Sequence, residues 1–486
     1  MHIPTMRSVN DKLGWTKIDW KTILVFVVLV FIGWLNIYAA VYNEALSGGF
    51  DFSSRYGMQL IWIGISTIAA IVILLIDDIY YHLLAYPFYG LMLVVLVLTL
   101  VVGKEVNGAK SWLSFGPVAI QPAEFMKLAT ALALARLTSE YNFSLSRPKN
   151  LIATALLLLV PIGVILLQND MGSALVYCSF LLVLYREGLN PWVYYAIFLV
   201  VGLFVGSFLL SNVALLLLLI VLFVVSQLLF NHNPKESVIF VAGVGLVSIV
   251  IYGLSWLGGW GVDYYHSLLI GSLAMLPVAL YHAYRHKLST IYLFAIMFVC
   301  SLAFLGAVDY VFNDVLQLHQ QKRILDLLGL ESDLRGWGYN VHQSKIAIGS
   351  GGLFGKGFLE GTQTKYDFIP EQSTDFIFCT VGEEWGFFGS VVVLVLFAVL
   401  IIRLMKMGER QQEPFRRVYC YGVAGIFLFH TIINVGMTIG LMPVIGIPLP
   451  MFSYGGSSLL AFTVLFFIAV RLDSQNSAIG TTYKPY

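Results

Sequence analysis

The chain has 486 residues, of which 59% are hydrophobic and 11% charged, with a formal net charge of +1. That composition, at a mean hydropathy of +0.84, excludes an ordinary water-soluble globular domain and points to a polytopic membrane protein. The near-balanced charge argues against nucleic acid or any strongly acidic partner held by bulk electrostatics.

Residues 1–21 are polar, with Arg7, Lys12, Lys17 and Lys21. The apolar run behind them is too long for a secretory signal, so they read as a cytoplasmic segment before a retained first helix. Runs long enough to cross a bilayer as helices are predicted over 22–42, 57–76, 83–103, 121–138, 150–168, 171–185, 190–210, 213–231, 237–258, 266–283, 289–309, 374–403, 417–440 and 452–470. That makes an all-α bundle of about fourteen transmembrane helices. The four cysteines, Cys178, Cys300, Cys379 and Cys420, lie in apolar stretches with neither disulfide nor metal spacing, and read as small core hydrophobes. His282 and His286 in "HAYRH" have metal spacing but no third ligand, and read as part of a basic cluster at a helix end.

With the N-terminus inside, the inner segments collect most of the basic residues, including Arg147, Lys149, Arg285, Lys287, Arg403, Lys406, Arg410, Arg416 and Arg417. The short outer segments hold only Arg55, Lys104 and Lys110. This bias supports the even helix count and puts 310–373 outside, with 472–486 as a cytoplasmic tail.

The 310–373 segment is polar and glycine-rich. "LQLHQQKRILDLLGL" has the pattern of a short amphipathic helix lying on the membrane. "YNVHQSKIAIG" reads as a short helix or strand lining a groove. "GSGGLFGKG" is no nucleotide loop: Ser350 stands where the first glycine of the phosphate-binding pattern belongs, and Gly357 follows Lys356. Polar residues also intrude at membrane depth, where each costs ~2.5–3.5 kcal/mol and asks for a partner or a wet cavity. Glu124 and Lys127 in "QPAEFMK" share one helix face. Asp170 sits in "QNDMGS", and Asp375, Glu383 and Glu384 in "STDFIFCTVGEEWG". The prolines of "LMPVIGIPLPMFSYGGSS" forbid a continuous helix there. Broken backbone at that depth implies a cavity or burial in protein.

Four stretches, "NGAKSWLSFGPVAIQPAEFMKL", "QNDMGSALV", "GWGYNVHQSKIAIGSGGLFGKGFLEGTQTKYDFIPEQSTDFIFCTVGEEWGFFG" and "GLMPVIGIPLPMFSYGGSS", together resemble the SEDS family (shape, elongation, division and sporulation). "GTQ" followed by "FIPEQSTDFIF" is closer to the RodA-like elongation branch than to the FtsW-like division branch. The resemblance implies a peptidoglycan glycosyltransferase of the bacterial cytoplasmic membrane. It would polymerise lipid II at the outer face, without a nucleotide, beside a class B penicillin-binding protein and other membrane proteins of the elongation complex. It assigns Asp333, in the family's "E-S-D" run, as the base activating the acceptor hydroxyl or as ligand to a divalent cation (Mg or Mn) near the diphosphate. Lys127 and Lys345, with Lys110 behind them, are its candidates for meeting the leaving diphosphate. Glu124 would orient Lys127, Asp170 would sit in the cavity wall, and Gln343 and Ser344 would donate hydrogen bonds to sugar or phosphate.

Two departures stand out. Leu334 and Arg335 follow Asp333 where the family usually has proline. The family also typically has about ten spans, so about four are extra. The implied organisation is a bundle over 22–189, an insertion over 190–288, a helix over 289–309, an active-site loop over 310–373 and a second bundle over 374–471. The alternatives are a lipid II flippase, which needs a polar path to both faces, and a non-enzymatic scaffold for the partner synthase.

Overall fold

The structure is a computed structural model describing residues 18–42, 52–106, 108–116, 118–231, 234–287, 289–316, 321, 325, 339–365, 368–442 and 444–479. The chain divides into two units, 1–190 with 333–486, and 191–332.

The first unit opens with α1 (Trp20–Val41), α2 (Arg55–Leu75) and α3 (Asp78–Val102). Asp19 and Ser54 start the first two by accepting the backbone N–H of Thr22 and Gly57, the usual answer to the orphan donors of a helix N-terminus. A three-stranded antiparallel sheet follows: β1 (Lys104–Val106), β2 (Ala109–Phe115) and β3 (Val118–Ile120), in that order. Leu113 pairs with Ile120 and Phe115 with Val118. The helical count of the sequence missed this sheet, although "AKSWLSF" alternates polar and apolar residues and Gly108 and Gly116 take the positive φ of tight turns.

Next come α4 (Pro122–Thr138), α5 (Pro148–Leu167), α6 (Met171–Val176) and α7 (Ser179–Arg186). Proline sits in the first turn of α4 and α5, where its missing N–H costs nothing. The expected span at 171–185 is therefore two short helices, and α4 has 17 residues. Among the described residues, 12 helices are long and apolar enough to cross a membrane. The other two predicted spans correspond to these shorter elements, 121–138 to α4 and 171–185 to α6 with α7. Cys379 and Cys420 are buried as expected, but Cys178 and Cys300 are exposed.

The second unit holds α8 (Pro191–Leu209), α9 (Asn212–Asn231), α10 (Pro234–Gly258), α11 (Tyr264–His286) and α12 (Ser289–Tyr310). Its core is apolar, with Phe223 packed 4.8 Å from Phe240 and 5.8 Å from Phe298. Gly271 lets α11 approach Ser248 and the Val244 carbonyl of α10, the close small-residue packing that membrane helices favour.

The first unit resumes with α13 (Tyr339–Ser350), α14 (Thr362–Lys365), α15 (Ile377–Glu409), α16 (Pro414–Thr438) and α17 (Gly456–Ile479). Within their spanning windows α16 and α17 are 72% and 83% buried, while no other span exceeds 39%. They form the centre with α4, nearly all of whose side chains are buried. The remaining helices turn broad apolar faces outward, as lipid requires.

α15 is kinked at Gly386, whose φ of 65° no ordinary residue adopts without strain. The break leaves helix carbonyls and N–H groups without intrahelical partners, and the glycine-rich segment fills them. Lys356 and Gly357 donate their N–H to the carbonyls of Glu383 and Glu384, at 3.0 and 3.1 Å. Phe387 and Phe388 donate theirs to Gly352 and Leu353, at 2.9 and 3.1 Å. The glycines of "GSGGLFGKG" thus serve backbone-to-backbone docking. The predicted amphipathic helix at 316–330 falls almost wholly outside the described residues.

Candidate active site

The bonds of the first unit sort the candidate residues onto one end of its bundle, the end that carries the sheet. The described residues of the segment 439–455 run through that end in irregular backbone, as Pro448 and Pro450 favour. A Cβ at Gly440 would collide with the side chain of Lys345. A Cβ at Gly172, two residues after Asp170, would stand 2.7 Å from the Ile445 carbonyl. One at Gly446 would stand 3.3 Å from Asp375 Oδ2. Asn434 donates to the carbonyls of Asp375 and Ile447, both at 2.8 Å. Farther along, Ser453 Oγ donates to the Thr374 carbonyl at 2.5 Å and Tyr454 N to Ser373 O at 2.8 Å. Arg55, at the start of α2, donates to Ser373 Oγ at 2.6 Å and lies over the Tyr454 ring.

Beneath this segment lies a buried charge. Lys127 Nζ is 2.8 Å from Glu124 Oε1, with the two side chains 0% and 2% exposed. The i, i+3 pairing expected from "QPAEFMK" is thus present, and a third residue completes it. His430 of α16 brings its Nε2 to 2.9 Å from Lys127 Nζ, and its Nδ1 lies 3.0 Å from the Pro448 carbonyl. Sequence reasoning missed His430, since a lone histidine in "FLFHTII" gives no sign of a partner 303 residues away. The other carboxylate oxygen of Glu124 is buried without a hydrogen-bond partner among the described residues.

Asp170 accepts from Gln121 Nε2 at 2.8 Å and caps α6 through Ser173, whose N–H and hydroxyl both lie 2.9 Å away. It is an anchored carboxylate at the start of a helix. Asp375 was noted in the sequence without a role. Burial, reinforced by the carboxylates of Glu371 and Asp170, pushes it up to about 7.

The neighbours of α13 divide by direction. Lys345 is exposed and Gln343 partly so, whereas Ser344 is fully buried. The hydroxyl of Ser344 lies 2.5 Å from the Thr438 carbonyl and 2.8 Å from Cys379 Sγ. In this structure the Ser344 donor, expected to meet a ligand, is engaged inside the protein. Lys110 lies on β2, its Nζ 3.1 Å from the Val101 carbonyl. Asp333 falls outside the described residues. Among those described, no three His, Cys, Asp or Glu side chains form a group able to hold a metal ion.

The opposite end of the first unit is laced by ion pairs. Arg403 holds Asp19 at 2.7 Å and Arg417 holds Glu187 at 2.9 Å. Arg471, 1% exposed, reaches Asp77 at 3.2 Å, while Arg410 pairs with Asp473 and Arg416 with Asp78.

Comparison with known proteins places the chain in one family. The cell cycle protein family FtsW/RodA/SpoVE matches residues 19–214 and 263–478, leaving 215–262 unmatched. The peptidoglycan glycosyltransferase RodA of Treponema pallidum is 33% identical over 92% of this chain and 95% of its own length. The peptidoglycan glycosyltransferase MrdB of Escherichia coli K12 is 28% identical over 97% and 98%. Among solved structures, a chain from a study of how a peptidoglycan synthase complex coordinates polymerization and crosslinking superposes with a TM-score of 0.60. It has 24% identity and covers 94% of this chain and 98% of that one. The rod shape determining protein RodA of Thermus thermophilus gives a TM-score of 0.50 at 24% identity, over 94% and 96%. The chain therefore belongs to the FtsW/RodA/SpoVE family, on the RodA-like side of it.

Proposed function

We propose that this multi-pass membrane protein is a peptidoglycan glycosyltransferase of the elongation type, polymerising lipid II at the outer face of the bacterial cytoplasmic membrane. The observation that carries the reading is the gathering of Lys127, Glu124, Asp170 and Lys345 around the 439–455 segment at one end of the bundle. The arginines of the opposite end argue for a cytoplasmic location there, with both termini inside. The candidate polar residues gather at the end away from these ion pairs, which favours polymerisation over lipid II flipping.

In the proposed reaction an acceptor sugar's 4-hydroxyl attacks the anomeric carbon of a lipid-linked donor. The new glycosidic bond forms as the bond to the lipid diphosphate breaks. The hydroxyl is a poor nucleophile and gives up its proton to a base, the role assigned to Asp333. The departing diphosphate carries away the negative charge, and positive charge fixed in advance lowers the barrier to its departure. Lys345 is exposed and suited to direct contact, while buried Lys127 supplies a fixed field from below. A class B penicillin-binding protein is the proposed transpeptidase partner, alongside other membrane proteins of the elongation complex.

The experiment is polymer formation from lipid II by the purified protein, with and without that partner, for wild type and Asp333→Ala. Both forms are first matched in melting temperature and in partner binding. Polymer from wild type alone supports the reading and the role of Asp333. Polymer from both removes Asp333 as base, and polymer from neither removes the enzymatic reading. Loss of polymer in EDTA, restored by Mg2+ or Mn2+, would favour the cation-binding role of Asp333 over the base.

A further inference from the structure

We propose that His430 is a positioning residue that fixes the Lys127 ammonium at a set depth below the 439–455 segment. The inference rests on the reading above, in which Lys127 holds positive charge beneath the leaving diphosphate. An ammonium can only donate hydrogen bonds, and a carbonyl oxygen can only accept them. His430 has one ring nitrogen against each: Nε2 is 2.9 Å from Lys127 Nζ and Nδ1 is 3.0 Å from the Pro448 oxygen. The proton therefore sits on Nδ1 and is given to Pro448, while Nε2 offers its lone pair to the lysine. Only the neutral ring in this one tautomer satisfies both partners.

The ring is held in place as well. It stands edge-on to Phe462, 4.9 Å between centroids at 89°. The same Phe462 ring has Lys127 Nζ 5.7 Å from its centre. Two aromatic contacts and two hydrogen bonds thus define where the ammonium lies, with Glu124 closing the remaining side. The planar imidazole makes a strut of fixed length between the proline-rich segment and the charge. Because Gly446 of that segment stands by Asp375 and Ile445 by Gly172, two residues from Asp170, the strut ties the buried cation to the carboxylates at the same end. Removing an acceptor from a lysine leaves a long flexible side chain free to take other rotamers. Misplacement of a catalytic group by about an ångström costs up to about a hundredfold in rate.

The test compares wild type with His430→Phe, His430→Gln, His430→Leu and Lys127→Met. Each is purified with the transpeptidase partner and assayed for polymer over a range of lipid II concentrations, with melting temperatures recorded. Phenylalanine keeps the ring and loses both nitrogens, whereas glutamine supplies an acceptor for Lys127 and a donor for Pro448. We expect Lys127→Met to abolish polymer, His430→Phe to lower kcat about tenfold or more with KM within about twofold, and His430→Gln to stay within about threefold of wild type. Should His430→Phe fail to fold, His430→Leu carries the same expectation. Lys127→Met with wild-type kcat overturns the reading of Lys127 and the inference with it. An inactive Lys127→Met with the glutamine and phenylalanine variants alike, both normal or both impaired, overturns the inference alone.

Discussion

Lys356 Nζ lies 2.7 Å from Oε1 of Glu383, a carboxylate that is 0% exposed at the start of α15. The same carboxylate accepts the backbone N–H of Gln363 at 2.9 Å and of Thr364 at 3.0 Å. One buried anion thus gathers the side chains of Lys356 and Thr362 and two main-chain donors from the start of α14. Removing one member of a buried ion pair is costly because the rest is left unsatisfied. Lys356 retains 25% exposure, so water compensates part of the loss. Glu383→Leu is expected to destabilise the protein by about 2–4 kcal/mol. It should also expose the bonds after Lys356 and Lys365 to trypsin under native conditions. Wild-type cleavage kinetics in the variant would show that the staple does not hold this segment.

The glycines of the same segment differ in what they tolerate. A Cβ at Gly355 would fall on the Glu384 carbonyl, and its φ of 80° is itself strained for any other residue. Gly349 lies in α13 with nothing within 4 Å of an added Cβ. Gly355→Ala is expected to cost more than about 2 kcal/mol, while Gly349→Ala is neutral or stabilising by up to about 1 kcal/mol. Melting temperatures of the two variants in detergent decide the matter, and equal shifts would contradict the docking described for Gly355.

Much of the fold was legible because a membrane helix announces itself. Long apolar runs admit almost no other structure in lipid, and every predicted span from 22–42 to 452–470 contains helix. What escaped reading was short or distant. β1 and β3 have three residues each, too few to show a period. The break at Tyr177 and Cys178 has no glycine or proline to mark it. In the site, Glu124 and Lys127 were readable because a helix places i and i+3 together. His430 was not, because only tertiary folding brings it to Lys127. Ser344 and Lys345 show the converse limit: adjacent in sequence and both polar, they point in different directions once α13 packs on α15.

Asp375 gives the protein a pH dependence whose sign follows from its surroundings. Its folded value of about 7 lies above the ordinary 3.8 because burial, Glu371 and Asp170 all disfavour the charge. A raised carboxyl means that the folded state holds its proton more tightly than the unfolded state. Stability is then lost as pH rises from about 4 to about 7, and the penalty is constant above that. Asp375→Asn removes the ionisable group and should therefore melt higher than wild type at neutral pH. Its advantage should grow from about pH 5 to about pH 7 and level off beyond. An advantage that stays constant across that range would mean that the gain has nothing to do with the carboxyl's ionisation.

Ser344 and Lys345 separate a structural role from a functional one within a single turn of α13. The Ser344 hydroxyl is sealed between the Thr438 carbonyl and Cys379. Ser344→Ala removes a buried hydrogen bond and leaves that carbonyl one partner short, a loss of about 1 kcal/mol. Lys345 is exposed and close to Gly440, so Lys345→Met takes a charge from the surface without opening the core. Ser344→Ala should therefore lower the melting temperature while polymer formation per folded molecule stays at the wild-type level. Lys345→Met should leave the melting temperature in place and slow polymer formation, most strongly at low ionic strength, where an exposed charge acts at longest range. The reverse pattern, with Ser344→Ala slow and Lys345→Met unaffected, would mean that α13 turns its buried side toward the substrate during the reaction.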